Sequence, residues 1–304
     1  MFAASQRGIV NQRAMDWTEE TIQVEHNVPG RIYGKGPCPR PAPLVLHLHG
    51  GAFVGGSLDS GRTVSSLLAD AGAVVVSIDY PLAPGHQFPH ALQAAYRALS
   101  CLHGGRANWV SKKSGIYLAG EEAGGNLAAA LALMARDQQG PPLAGQILLS
   151  PMLDPCMATC SIRQAEAGPV GCQWADGWHQ YLGSADKASH PYAAPLGSSR
   201  LAGLAPALVL TAQDDPMRDE SLSYARRLRE SGVEVQEHVL AGPTGWPNAL
   251  GFWEQSLDRL EAYLRELSTT EEAWTTTVRD RFIEFFAQTM PLHRSAAAFR
   301  PSRN

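Results

Sequence analysis

The sequence is short of cysteine, of basic charge and of long apolar runs. Its five cysteines, Cys38, Cys101, Cys156, Cys160 and Cys172, are odd in number and form no Cys-x-x-Cys pair. That argues against a disulfide framework and against a thiolate metal site. Lys and Arg number 25 against 29 Asp and Glu, a net charge of −4, and the basic residues are scattered along the chain. No stripe is present that would neutralise a phosphate backbone, which excludes nucleic acid as a partner. No segment reaches the ~20 apolar residues that a membrane span needs, and Met1 to Asp16 lacks the apolar stretch of a secretory signal. These absences predict a soluble, cytoplasmic protein with reduced thiols, no membrane partner, and neither metal nor cofactor.

What is present points to a large α/β core. Of 304 residues, 44% are hydrophobic, and their spacing predicts a single domain over residues 1–304. Leu44 to Leu48 and Val74 to Ile78 read as buried strands, with helical spacing over Gly61 to Asp70 and Pro89 to Leu102 between and after them. Further strands are predicted at Ile116 to Ala119, Gln146 to Ser150, Ala207 to Thr211 and Val233 to Leu240. Such alternation gives a mostly parallel central sheet with helices on both faces. Thr21 to Val28 and Arg31 to Tyr33 alternate like an edge hairpin joined through Pro29-Gly30. Two helical stretches, Trp253 to Leu267 and Glu271 to Gln288, close the chain. The second carries Trp274, Val278, Phe282, Phe285 and Phe286 at helical spacing, the mark of a core helix or of a homodimer helix.

One region breaks the rhythm. Pro155 to Ser199 has no strand pattern, and segments of that length between strands are often lids. Residues 1–20 and 155–199 are expected to cover a core spanning 40–290. The lid aromatics Trp174, Trp178, His179 and Tyr181 either offer a flat apolar surface to a ligand or only seat the lid on the body.

The segment around which the core is organised is Gly120-Glu121-Glu122-Ala123-Gly124-Gly125-Asn126. It lies between the apolar run Gly115 to Ala119 and a helix-forming run from Leu127, so a short buried strand turns sharply into a helix there. Small residues on both sides let one side chain sit on a strained turn above the sheet, the context of a nucleophile elbow. The apical residue is Glu122.

Further motifs occur in order with it: His49-Gly50-Gly51-Ala52, Asp79-Tyr80-Pro81-Leu82-Ala83-Pro84, Pro191-Tyr192-Ala193-Ala194-Pro195 and Asp215-Pro216-Met217-Arg218-Asp219-Glu220. Together, from about residue 40 to 252, the chain resembles the hormone-sensitive-lipase group of α/β-hydrolases and is expected to share the α/β-hydrolase fold. The resemblance implies an oxyanion hole from the backbone N–H groups of Gly50, Gly51 and Ala123, and places the acid of a catalytic triad at Asp215. It implies a serine where this chain has Glu122, and a histidine where it has Leu250, or by an alternative alignment near Thr244-Gly245-Trp246. No histidine occurs between Val239 and Leu292. His238 lies on the preceding strand, and His49 is expected to fix the oxyanion loop. Asp215 either acts in chemistry or, without a histidine to orient, holds its own turn.

A carboxylate at the elbow has three uses. It can attack an alkyl carbon, but the resulting ester then needs a histidine-activated water. It can move a proton, either as an acid kept neutral by burial or as a base favoured by the helix dipole. Being longer than serine, it can also fold back and fill the oxyanion hole, which makes the site a binding pocket.

The resulting expectation is a non-hydrolytic enzyme of specialised, natural-product metabolism. Glu122 acts as general acid or base on a bulky apolar or aromatic metabolite, in cyclisation, C–C bond formation, epoxide opening or dehydration. Phe53, Trp178, Trp246 and Leu250 are expected to line the substrate pocket. Two alternatives stand beside this reading: a catalytically inactive small-ligand receptor or carrier, and a residual esterase with a rearranged triad.

Overall fold

Continuous apolar runs form strands that are buried along their whole length, as only strands covered on both faces are. The computed structural model describes residues 18–25, 28–35, 40–164, 169–241 and 274–290. Its strands are β1 (Thr18–Glu25), β2 (Val28–Lys35), β3 (Leu44–Leu48), β4 (Val74–Ile78), β5 (Ile116–Glu121), β6 (Gly145–Leu149), β7 (Ala207–Ala212) and β8 (Val235–Leu240). Every residue of β3 through β7 is buried. The eight strands form one sheet in the order β1-β2-β4-β3-β5-β6-β7-β8. β1 and β2 run antiparallel, β2 meets β4 antiparallel, and every later pairing is parallel.

The helices are α1 (Arg62–Asp70), α2 (His90–Gly104), α3 (Glu122–Asp137), α4 (Cys160–Gln164), α5 (Pro169–Leu182) and α6 (Arg218–Glu230), followed by α7 at 274–289. Strand alternation divides the core between the two faces. Leu44, Leu46 and Leu48 share one apolar cluster with α2, α3 and α6 residues. Val45, Tyr117 and Ile147 share another with α1 and α7.

Helix α7 places Trp274, Val278, Phe282, Phe285 and Phe286 in that second cluster, so its apolar stripe is covered within the chain. Tyr117 meets Phe286 at a centroid separation of 5.1 Å and Phe285 at 6.2 Å. Phe282 is wholly buried. Phe282→Ala is expected to destabilise the fold by about 3–5 kcal/mol through lost burial and the cavity left behind, measured by urea unfolding.

Three local differences from the sequence reading have simple causes. The hairpin does not turn at Pro29-Gly30, because Pro29 pairs with Gln23, and Gly30 pairs with both Ile22 and Ile78. β2 is therefore an inner strand with β1 at the edge, and the Pro29 carbonyl accepts from the Asp79 N–H at 2.9 Å. The N-terminal lid boundary also shifts, since Thr18 already belongs to β1. The elbow helix starts at Glu122 rather than Gly124. In the 155–199 region the described residues include α4, α5 and two short 3-10 turns. The helix expected at Trp253 to Leu267 lies outside the described residues. Cys101, Cys156 and Cys160 are free thiols, and among the described residues no helix is long and apolar enough to cross a membrane.

Candidate active site

At the junction of β5 and α3, Glu122 has φ 52, a left-handed conformation that costs a non-glycine residue of order 1–3 kcal/mol and persists only where the surroundings enforce it. Here the enforcement comes from backbone packed against backbone. A Cβ added at Gly124 would stand 1.9 Å from the Leu48 carbonyl oxygen and 2.4 Å from that of His49, so only glycine lets the first turn of α3 rest on the end of β3. Asn126, one turn into α3, donates to the carbonyls of Met152 at 2.7 Å and Ala193 at 3.0 Å. The elbow motif and the Pro191–Pro195 motif are thereby tied together.

The Glu122 side chain is completely buried. Its Oε2 accepts from the N–H groups of Gly51 at 2.5 Å and Ala52 at 3.0 Å, and its Oε1 accepts from the indole N–H of Trp174 at 2.5 Å. Burial raises the pKa of the Glu122 carboxyl above the ordinary range, while the donors from Gly51, Ala52, Trp174 and Ala123 pull it down; burial is the larger effect. Every one of these partners is a donor, so the cradle is built for two accepting oxygens.

The resemblance implied oxyanion donors at Gly50, Gly51 and Ala123; the loop N–H groups that hydrogen-bond the Glu122 carboxylate are those of Gly51 and Ala52. The loop turns through positive φ at Gly51, Ala52 and Phe53, which aims two successive N–H groups at one oxygen. The Gly50 N–H donates instead to Glu121 Oε1 at 3.3 Å. His49 holds the loop: its Nδ1 donates to the Gly50 carbonyl at 2.7 Å, its ring stacks on Tyr80 at 4.3 Å, and the Tyr80 hydroxyl donates to the His49 carbonyl at 2.7 Å.

Beneath the loop lies a pair that the sequence reading missed. Glu121 Oε2 is 2.6 Å from His47 Nε2, with both side chains fully buried. His47 Nδ1 lies 2.9 Å from Ser77 Oγ and 3.1 Å from Ser65 Oγ. The signal was available: a histidine inside the apolar run Leu44 to Leu48 needs a polar partner in the next strand. β3 and β5 are adjacent, with His47 opposite Ala119, two residues short of Glu121.

Asp215 stands just after β7, and its carboxylate serves the surrounding chain. Oδ2 accepts from the hydroxyls of Ser150 and Thr211, and Oδ1 from the Met217 N–H at 2.8 Å. Burial pushes its pKa up to about 6 against these bonds. Its partners are Ser150, Thr211 and Met217 rather than Glu122, and in this arrangement it closes the β7–α6 turn.

Glu220, from the same motif, is buried and accepts from the N–H groups of Leu153 at 2.7 Å and Asp154 at 3.2 Å. Asp154 itself accepts from the Cys156 N–H at 2.9 Å in a local turn. Burial, with the neighbouring charges of Asp154 and Asp215, raises the Glu220 pKa from 4.5 to about 8. The folded-state value lies above the unfolded one, so this group's stabilising contribution is complete below pH 4.5 and fades as pH rises toward about 8. Stability is expected to fall with rising pH across that window by up to about 1.4 kcal/mol per unit. Glu220→Gln is expected to flatten the slope, measured by urea unfolding at a series of pH values.

Helix α5 sits directly on the loop after β3 through Trp174, Gly177, Trp178 and Tyr181, one helical face at i, i+3, i+4 and i+7. A Cβ at Gly177 would lie 2.2 Å from the Ala52 carbonyl oxygen. Phe53 stacks on Tyr181 at 4.0 Å and meets Trp178 at 4.9 Å. Phe53 and Trp178, expected to line a substrate pocket, are 2% and 3% exposed and pack α5 against the loop after β3. Trp246 and Leu250 lie outside the described residues. Trp174 contacts the elbow through its N–H, a polar contact beyond the two apolar uses expected of it, ligand surface or packing. His238 is on β8, with Arg281 and Glu284 of α7 as its charged neighbours. A surface cavity of about 380 Å³ opens at the far end of α3, between Arg136 and Arg200; Asp137 already pairs with both of these arginines.

Residues 45–244 match the family described as alpha/beta hydrolase fold. The chain belongs to that family. Esterase LipI of Mycobacterium tuberculosis (strain ATCC 25618 / H37Rv) is 36% identical over 224 residues, 68% of this chain and 67% of the relative. The arylesterase of Saccharolobus solfataricus is 33% identical over 214 residues, 69% of each chain. Among solved structures, esterase LipW from Mycobacterium marinum superposes with a TM-score of 0.74 at 31% identity, covering 90% of this chain and 83% of that one.

These relatives overturn the expectation of a cyclase, lyase or dehydratase of natural-product metabolism, since they are named as esterases. In the structure both oxygens of Glu122 are engaged by donors of the chain itself.

Proposed function

We propose that this chain acts on carboxylic esters as a slow hydrolase, with Glu122 serving as the base for an attacking water where the family resemblance implies a serine and a histidine. The observation that carries the reading is the pair of N–H groups, from Gly51 and Ala52, converging on one oxygen at the elbow apex. Two donors aimed at one oxygen suit the negative charge that develops on an ester carbonyl during attack. The named relatives support the substrate class.

In the resting protein the Glu122 carboxylate occupies those donors, so turnover requires it to swing out of the cradle. The ester carbonyl oxygen then takes the Gly51 and Ala52 N–H groups. Freed of its donors and still buried, the displaced carboxylate becomes a stronger base. It accepts a proton from water as the hydroxide adds to the carbonyl, and returns that proton to the departing alkoxide; ester and water give acid and alcohol.

A second reading, ligand capture without cleavage, is favoured by the number of donors holding Glu122 in place. p-Nitrophenyl butyrate hydrolysis separates the two. Wild type is expected to exceed the uncatalysed rate, and Glu122→Gln to lose about 10²-fold or more of the enzymatic rate. Equal rates for wild type and Glu122→Gln would overturn hydrolysis in favour of capture.

A further inference from the structure

The unusual feature of the site is that its hydrogen-bond donors are filled by a residue of the same chain. Gly51 and Ala52 supply two N–H groups to Glu122 Oε2, and the lid supplies a third, from Trp174, to Oε1. The three donors come from two separate elements, the loop after β3 and helix α5, and the glutamate that joins them comes from a third. All the groups are buried. α5 has no slack at this contact, because Gly177 rests against the Ala52 carbonyl one turn further along.

We propose that this is a carboxylate-binding cradle in which Glu122 is a resident internal ligand, and that the external ligands it excludes are small monocarboxylates. The Glu122 carboxylate also latches the lid: as long as it bridges Ala52 and Trp174, α5 stays seated, and whatever displaces it must satisfy the same three N–H groups. A carboxylate does so with the same two oxygens and the same charge, through charge-assisted hydrogen bonds that a neutral ester carbonyl, with one acceptor oxygen, cannot equal. The inference deepens the ester reading and rests on it for the origin of the ligand, since hydrolysis of an ester releases a monocarboxylate inside this cradle. Competition with Glu122 would then expel the acid product.

The experiment is chemical rescue by acetate. Glu122→Ala removes a CH₂–carboxylate fragment, and acetate is that fragment as a free molecule. The probe is sodium acetate, compared with sodium chloride at equal ionic strength, and the readouts are thermal unfolding and calorimetric titration. Glu122→Ala is expected to unfold at lower temperature than wild type, to recover with added acetate, and to bind acetate at least about tenfold more tightly than wild type. If Glu122→Ala does not fold by itself, acetate-dependent folding is the expected result. Glu122→Gln keeps an acceptor in the cradle and is expected to ignore acetate as wild type does. Adding Trp174→Phe to Glu122→Ala keeps the ring and removes the N–H, and is expected to weaken acetate binding about 5- to 10-fold.

Acetate that affects all variants alike, or none, overturns the cradle. Binding indifferent to Trp174→Phe removes the lid from it and overturns the latch. Ester turnover is measured separately on wild type. Turnover without acetate rescue defeats the cradle and leaves the ester reading standing, whereas rescue without turnover keeps the cradle and defeats hydrolysis.

Discussion

Glu122→Ser combined with Leu250→His is expected to raise hydrolysis of p-nitrophenyl butyrate by about 10³-fold over either single change. The strained turn is already in place, with φ 52 at position 122, and the donors of Gly51 and Ala52 already converge beside it. Serine is too short to reach those donors as glutamate does, so Glu122→Ser alone vacates the oxyanion hole but leaves the hydroxyl with no base to take its proton. Leu250→His alone supplies a base while Glu122 still blocks the hole. Only together do nucleophile, base and free oxyanion donors coexist, and parts that work as a unit are strongly non-additive. Asp215, at the end of β7, stands where the resemblance places the group that would orient the new imidazole. The measurement is kcat/KM for the four variants, including wild type. A double variant no faster than Glu122→Ser would show that the loop does not bring residue 250 to the elbow.

His47→Leu is expected to cost about 3–5 kcal/mol of stability, read by urea unfolding, because it leaves the buried Glu121 carboxylate without its main partner. Glu121 and His47 are both fully buried at a separation of 2.6 Å, and Glu121 also holds the Gly50 N–H at 3.3 Å. Removing one member of such a pair is far more damaging than replacing both. The double variant His47→Leu with Glu121→Gln is therefore expected to recover a large part of the loss, since the amide oxygen still accepts from Gly50. If the double variant were as unstable as the sum of the two single changes, the pair would be two independent groups and not a unit. Glu121 thus has its own task beside the apex: it supports from below the loop whose next two N–H groups reach Glu122.

Much of the site was legible one residue at a time. The run of small residues around Glu122 is dictated by backbone contact at Gly124, and that steric demand is written into sequence because no larger side chain fits. The turn after β3 was legible from its glycines, but which N–H groups point toward Glu122 depends on φ at Ala52 and Phe53, which are not glycines. The fold-back of Glu122 was among the outcomes its length allows, and the structure adopts it with Ala52 as a donor in place of Gly50. Trp174 was placed on the lid, yet its indole N–H was not assigned to the elbow, because which face of α5 meets the loop is set by contacts from 174 through 181 that no local pattern specifies.

The chain's own order of residues determined the parallel sheet, the sharp turn after β5 and the carboxylate at its apex. These follow from local requirements: apolar runs that must be buried on both faces, and glycines where backbones touch. The tertiary structure decided what that carboxylate does, because its hydrogen-bond donors come from residues about 50 and 70 positions away in sequence. Such groups meet only once β3, β5 and α5 have packed, and burial among them converts a titratable side chain into a ligand of its own protein.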